Sequence, residues 1–101
     1  METNRSNQEQ VVARLVLVHG EAYGLPKDAS GVRVRAGRAW LSIGGEDVIL
    51  GRRDEVRFAS SEAKGGLGAI SPVGRVPLMI EVLGGARLAR HVARLTLGQR
   101  T

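Results

Sequence analysis

The feature that most constrains the fold is the pair Gly44-Gly45, which interrupts an alternating run of apolar and polar residues. Both positions of a primed two-residue hairpin turn need positive φ, which glycine adopts without a steric penalty. The pair therefore predicts a β-hairpin. A two-residue loop also fixes the register of that hairpin, so that Trp40 on the first strand faces Ile49 on the second.

The two faces of the predicted hairpin differ in polarity. One face consists of Ala39, Leu41, Ile43, Val48 and Leu50 and is expected to lie in the core. The other face is half polar but holds the single tryptophan of the chain, Trp40, next to Ile49. Because an exposed aromatic residue suits the centre of an interface, we expect Trp40 and Ile49 to form a homodimer contact. The alternative is that the C-terminal helix of the same chain covers Trp40.

Short runs of β-branched or alternating residues recur on both sides of the hairpin. They span residues 11–18, 21–25, 31–35, 55–59, 67–71 and 78–83. Regularly spaced short strands separated by turns are typical of an antiparallel barrel or sandwich. We therefore predict a mostly β fold, a small antiparallel barrel or jelly-roll, over residues 11–84, with a flexible tail at residues 1–10 before it.

The periodicity changes after residue 84. Over residues 85–97 the apolar residues fall on one helical face and the arginines on the other: Leu88, Val92 and Leu95 against Arg87, Arg90 and Arg94. This pattern predicts a short amphipathic helix that belongs to the same domain and packs on the barrel. The three arginines form either a solvated face or an anion-binding stripe, which on its own would bind nucleic acid or lipid headgroups weakly.

Composition excludes several classes of function. The chain of 101 residues has no cysteine, which removes disulfides, thiolate metal sites and cysteine nucleophiles. We expect a cytoplasmic protein, because residues 1–10 lack the features of a signal peptide and no apolar run is long enough to span a bilayer. The net charge of +5 leaves an anionic partner open, but the scarcity of aromatic residues argues against nucleic-acid binding by base stacking.

Patterns for catalysis or metal binding are sparse. The two histidines, His19 and His91, are not spaced as ligands with each other or with a carboxylate, so neither a metal nor another cofactor is expected. No nucleophile motif is present. The residues that could hold a ligand or serve acid–base chemistry are Tyr23, Trp40, Asp47 and Glu81.

The stretch from Gly31 to Leu83 resembles the cupin pattern. The segments that carry the resemblance are G-R-A-W-L-S at residues 37–42, D-V-I-L at 47–50 and D-E-V-R-F at 54–58. They look most like a group of short proteobacterial proteins with a cupin-like domain of unknown function, which implies a bacterial, cupin-like barrel. The metal ligands of metal-dependent cupins match positions that here hold Tyr23, Leu25 or Pro26, Ser30 and Lys64, so the resemblance implies no metal centre.

These observations together predict a metal-free, non-catalytic cupin-like module that binds a partner or a small ligand and self-associates as a homodimer. One alternative is a metal-free isomerase or epimerase that uses Tyr23, Asp47 or Glu81 in an open barrel pocket. The other is an anion-binding protein that acts through the basic helix. The barrel interior separates the first two, because a filled apolar interior would leave the isomerase without a site.

Overall fold

The computed structural model describes residues 9–58 and 68–90. Eight strands run through these ranges: β1 (Gln10–Leu17), β2 (Tyr23–Gly24), β3 (Gly31–Ala36), β4 (Ala39–Ile43), β5 (Glu46–Leu50), β6 (Glu55–Arg57), β7 (Ala69–Pro72) and β8 (Leu78–Gly84). A short helical segment follows at residues 86–90. The predicted mostly β fold with a C-terminal helix is confirmed.

The strands form two four-stranded sheets in which every pairing is antiparallel. Sheet A has the order β1-β8-β3-β6, and sheet B has the order β2-β7-β4-β5. The consecutive strands β3 and β4 lie in different sheets, so the chain changes sheet at Gly37, which has a φ of +83°. Glycine is required at this corner because other residues adopt the left-handed region only under strain.

The core lies between the two sheets and is built from the inward-facing residues of alternating strands. Its fully buried members are Val32, Val34, Leu78, Ile80 and Val82 from sheet A and Ala39, Leu41 and Ile70 from sheet B. The intervening residues point to the outer faces of the sheets. Alternation in the sequence thus separates an apolar interior from two outer faces that carry polar residues and Trp40.

The β4–β5 hairpin has the predicted register. Trp40 pairs with Ile49, and both turn glycines have positive φ, 60° and 80°. Val48 departs from the prediction that it is buried. It pairs with the core residue Leu41 but is 38% exposed, because β5 is the edge strand of sheet B and has no neighbouring strand beyond it in the described part of the chain.

The helical segment at residues 86–90 has the predicted orientation. Leu88 is 6% exposed and belongs to the core cluster, whereas Arg87 and Arg90 are exposed. The segment packs closely on the barrel, since an ideal Cβ on Gly84 would meet Leu88 Cδ2 at 2.6 Å. The other residues predicted for this helix, Val92, Arg94 and Leu95, lie outside the described residues.

The predicted tail at residues 1–10 enters the described part of the chain only at Glu9 and Gln10, and Gln10 already begins β1. Residues 91–97 of the predicted helix also fall outside that part. Within residues 9–58 and 68–90, no helix is long and apolar enough to cross a membrane.

Candidate functional site

Tyr23 lies on the inward side of sheet B and carries a hydroxyl there. Tyr23 pairs with Ile70, which in turn pairs with the core residue Leu41. The tyrosine ring is partly buried against the core, and this burial raises the pKa of the Tyr23 phenol above its ordinary value. A lone phenol with an elevated pKa is a hydrogen-bond donor at neutral pH rather than a base.

Glu81 lies on the outer face of sheet A and not in the barrel interior. Its neighbours on β8, Ile80 and Val82, are both fully buried in the core, so strand alternation sends the Glu81 side chain to the opposite face. The expectation of an acid–base group at this position inside a pocket is therefore corrected. Asp47 is exposed on β5 of the other sheet, so the structure does not bring Tyr23, Asp47 and Glu81 together.

A row of alternating charges crosses the outer face of sheet A from strand to strand. Arg14 on β1 faces Glu81 on β8, which faces Arg33 on β3, which faces Glu55 on β6. Arg14 Nε donates to Glu81 at 3.1 Å, and Arg33 donates to Glu81 through Nη1 at 2.9 Å and to Glu55 through Nε at 2.7 Å. Opposite charges at directly paired positions stabilise the pairing of four strands.

The row continues beyond the sheet to the start of the described chain. Arg57 on β6 contacts both Glu55 and Glu9, and its Nε donates to Glu9 Oε1 at 2.9 Å. The other oxygen of Glu9 accepts a hydrogen bond from the Ser30 hydroxyl at 2.6 Å. These contacts attach the segment before β1 to the edge of sheet A that β6 forms.

The carboxylates of this row should make the fold sensitive to acid. Burial raises the pKa of Glu81, but hydrogen bonds from Arg33 and Arg14 outweigh it and leave that pKa below its ordinary value. Hydrogen bonds from Arg33 and Arg57 lower the pKa of Glu55. Carboxylates with a lower pKa in the folded state stabilise it above their unfolded pKa of about 4.3, and the contribution is lost as the pH falls below that value.

We therefore expect the urea midpoint to fall as the pH is lowered from neutral to about 3, and to fall less steeply in a Glu81→Gln variant. The matched control is Asp28→Asn, because Asp28 is exposed and its carboxylate makes no ion pair with any other described residue. If the urea midpoint falls equally steeply with decreasing pH in wild type and in Glu81→Gln, the result would contradict a stabilising role for the Glu81 carboxylate.

The outer face of sheet B exposes an apolar pair that has small side chains beside it on β7. Trp40 is 49% exposed and its partner Ile49 is 50% exposed. On the other side of Trp40 lies Ser71, and the next row holds Ala69 and Ser42. Because these neighbours are small, they leave much of the Trp40 indole exposed to solvent. The described part of the helical segment lies against the core through Leu88 and does not cover this face.

A second feature, which the sequence analysis did not single out, is an arginine-lined cleft at the edge of sheet A. The cleft has a volume of about 510 Å³ and is lined by Arg33, Val34, Arg35, Ala36, Arg52 and Arg53. The sequence signal for it was the alternation of arginines along β3 together with the Arg52-Arg53 pair in the β5–β6 turn. Neither of these sequence features predicts that the β5–β6 turn lies beside β3.

The positions that match the metal ligands of metal-dependent cupins do not fit a metal ion here. Leu25 is buried in the core, Tyr23 packs against it, and the Ser30 hydroxyl bonds to Glu9. Lys64, at the last matching position, lies outside the described residues. Nowhere in residues 9–58 and 68–90 do three or more His, Cys, Asp or Glu side chains come together as a metal ion would require.

No protein-family model and no curated protein matches the chain by sequence. Solved structures do match it in three dimensions. The cupin 2 domain of an XRE-family transcriptional regulator from Enterobacter cloacae has a TM-score of 0.58 at 19% identity, covering 78% of this chain and 95% of that one.

Two further cupin structures agree with this comparison. A cupin 2 conserved barrel domain protein from Salinispora arenicola has a TM-score of 0.57 at 15% identity, covering 87% of this chain and 83% of that one. A cupin protein from Bacteroides fragilis has a TM-score of 0.53 at 19% identity, covering 72% and 63%. The chain therefore has the fold of a small cupin-like barrel, and fold alone does not assign an activity.

Proposed function

We propose that this chain is a non-catalytic, metal-free cupin-like binding module that self-associates as a homodimer through the outer face of sheet B. The observation that carries the proposal is the half-exposed pair Trp40 and Ile49 on that face. Aromatic residues surrounded by small neighbours are typical of interface centres, where a large ring inserts against a partner surface. The same fold occurs as one domain of a transcriptional regulator, which agrees with a role as a module.

The occupant that fits this face best is a second copy of the chain, because the face carries opposite charges at its two ends. Arg38 is exposed just before Trp40, and Asp47 is exposed beyond it, opposite Ser42. A twofold axis through the Trp40–Ile49 pair would bring Arg38 of one copy to Asp47 of the other. Such a surface is self-complementary, as an isologous contact requires.

The edge strand β5 lies at the border of the proposed interface. β5 is the last strand of the order β2-β7-β4-β5, and four of its five residues are exposed. An edge strand presents unpaired backbone donors and acceptors, which proteins cover or protect. A second copy packed on the outer face would cover Ile49 on this strand, whereas Val48 points to the inward side and would stay uncovered.

The proposal predicts that Trp40→Ala dissociates the dimer. Loss of a central tryptophan typically weakens an interface by about 2 kcal/mol or more, which raises the dissociation constant roughly thirtyfold. Light scattering over a range of protein concentrations measures this change. The matched control is Val16→Ala, because Val16 is 58% exposed but lies on β1 of the other sheet.

Two results would overturn the proposed interface. The first is a wild-type protein that is monomeric at tens of micromolar. The second is a dimer that survives Trp40→Ala but is lost in Val16→Ala, which would place the contact on sheet A. Because Trp40 is half exposed in the protomer, its removal should leave the fold of the monomer intact, and circular dichroism checks this.

The proposal also predicts that folding is independent of metal. Structural metal sites contribute directly to folding free energy, so chelators unfold proteins that depend on them. We expect the thermal midpoint to be unchanged by excess EDTA, and elemental analysis of protein purified without chelator to find no stoichiometric zinc, iron or manganese. A stoichiometric metal whose removal lowers the midpoint would contradict the metal-free assignment.

A further inference from the structure

The arginine-lined cleft lies where two irregular backbone segments meet. The turn between β5 and β6 folds back beside β3, since Arg53 N donates to Val34 O and Val34 N donates to Asp54 O, both at 2.9 Å. One wall of the cleft therefore comes from β3, with Arg33 and Arg35. The other comes from the turn, with Arg52 and Arg53.

On each wall of the cleft, one arginine occupies an irregular position of the backbone. On β3 the pairing with β8 shifts between Val34 and Ala36, so Arg35 is the extra residue of a β-bulge. In the turn, Arg53 has a φ of +78°, the one positive φ of a non-glycine residue in the described chain. Bulges redirect side chains, and non-glycine residues in the left-handed region are strained and cluster at functional sites.

Of the four cleft arginines, one forms direct ion pairs with carboxylates in the described part of the chain. Arg33 is held by Glu55 and Glu81. Asp54 belongs to the turn that carries Arg52 and Arg53, and its carboxylate accepts a hydrogen bond from Gly51 N at 2.7 Å.

The other three arginines of the cleft form no direct ion pair within the described residues, although the charge of Arg35 acts on Glu81 and helps to lower the pKa of that carboxylate. Arg35, Arg52 and Arg53 are exposed, and within residues 9–58 and 68–90 they form no ion pair with a carboxylate. Three guanidinium groups that line one cleft form a concentrated positive potential.

We propose that this cleft binds a small phosphorylated ligand, with Arg35 from β3 and Arg53 from the adjacent turn contacting the phosphate oxygens and Arg52 assisting at the rim. Guanidinium groups bind phosphate through paired, charge-assisted hydrogen bonds. A phosphorylated ligand has enough charged oxygens to contact three arginines, whereas a single carboxylate carries only one negative charge. The volume falls in the range of small-molecule sites, about 300–1,000 Å³. The fixed ion pairs of Arg33 hold the β3 wall in place.

The proposed ligand site does not depend on self-association. All the lining residues belong to one protomer and to the sheet-A side, whereas the proposed dimer face belongs to sheet B. Ligand binding should therefore persist in Trp40→Ala, and dimerisation should persist in variants of the cleft. Failure of one proposal is thus distinguishable from failure of the other.

Inorganic pyrophosphate is the probe for this site. In two-dimensional NMR titrations of the whole chain, we expect saturable shifts confined to the backbone amides of residues 33–36 and 51–54 and to the arginine Nε–H groups of the cleft. Arg35→Gln and Arg53→Gln should each weaken binding about tenfold, since each removes a charge-assisted contact. The matched control is Arg75→Gln, an exposed arginine that does not line the cleft and makes the same change in net charge.

A second variant separates the charge of Arg53 from its backbone conformation. Arg53→Gly suits the positive φ and should fold at least as well as wild type, yet it should lose pyrophosphate affinity as Arg53→Gln does. Succinate and a short DNA duplex are titrated in parallel, and both should bind more weakly than pyrophosphate.

Three results would overturn the proposal. The first is shifts spread evenly over exposed arginines, including Arg75. The second is an equal loss of affinity in Arg75→Gln. The third is succinate or DNA binding as tightly as pyrophosphate, which would make the cleft a site for a dicarboxylate or for nucleic acid instead.

Discussion

Replacing Gly37 with alanine is expected to lower the free energy of unfolding by about 2–5 kcal/mol, because backbone strain and steric overlap both occur at this position. The residue has a φ of +83°, and an added Cβ would lie 2.5 Å from the carbonyl oxygen of Pro77 and 3.0 Å from the Cα of Leu78. Those atoms belong to backbone that cannot move without displacing β8. Since this corner carries the chain from sheet A to sheet B, the loss should affect the whole fold.

Alanine substitutions at two other glycines test the backbone strain and the steric overlap one at a time. Gly45 has a φ of +80° but open space around an added Cβ, so Gly45→Ala should cost only the conformational strain, about 1 kcal/mol. Gly31 has no positive φ, but an added Cβ would lie 2.5 Å from the carbonyl oxygen of Val56. Gly31→Ala should therefore cost only the steric term, about 1–3 kcal/mol.

Urea unfolding of the three variants measures these differences. All variants are measured at one protein concentration, because dimerisation would contribute to the apparent stability. The expected order of destabilisation places Gly37→Ala first. Equal losses in Gly37→Ala and Gly45→Ala would mean that the corner does not pack against the chain before β8.

Leu88→Ala is expected to destabilise the fold by about 2–4 kcal/mol, the usual cost of truncating a buried leucine. Leu88 is 6% exposed and sits in the core cluster, against Gly84. The helical segment would then be part of the packed core and not an independent arm. Its stabilising contribution depends on this side chain, since Arg87 and Arg90 are exposed.

The matched control changes the exposed face of the same segment. The double variant Arg87→Gln, Arg90→Gln should leave the free energy of unfolding within about 0.5 kcal/mol of wild type. Thermal and urea unfolding of both variants provide the measurement. A silent Leu88→Ala, together with loss of binding to DNA or anionic vesicles in the arginine variant, would instead identify the segment as a functional arm.

Local signals in the sequence predicted the β4–β5 hairpin in detail. The Gly44-Gly45 turn permits one register, and that register places Trp40 against Ile49 as observed. Alternation likewise predicted Val32 and Val34 as core residues. These successes share a cause, because turn geometry and side-chain period depend only on neighbouring residues.

Features that depend on which strands become neighbours could not be predicted in the same way. Glu81 lies between β1 and β3 on the outer face because β8 is a central strand of sheet A. Its partners Arg14 and Arg33 are 67 and 48 residues away in the chain. The cleft arises for the same reason, since it needs the turn with Arg53 to lie beside β3.

The measurement that tests the central claim most directly is the fluorescence of Trp40 as a function of protein concentration, because the chain has a single tryptophan. In the protomer this side chain is 49% exposed. In a dimer formed through the outer face of sheet B it leaves water. We predict a blue-shifted emission maximum at high concentration that moves to the red on dilution, in step with the fall in mass from twice the 10.8 kDa of one protomer. A dimer whose emission maximum stays red-shifted at every concentration would contradict the account.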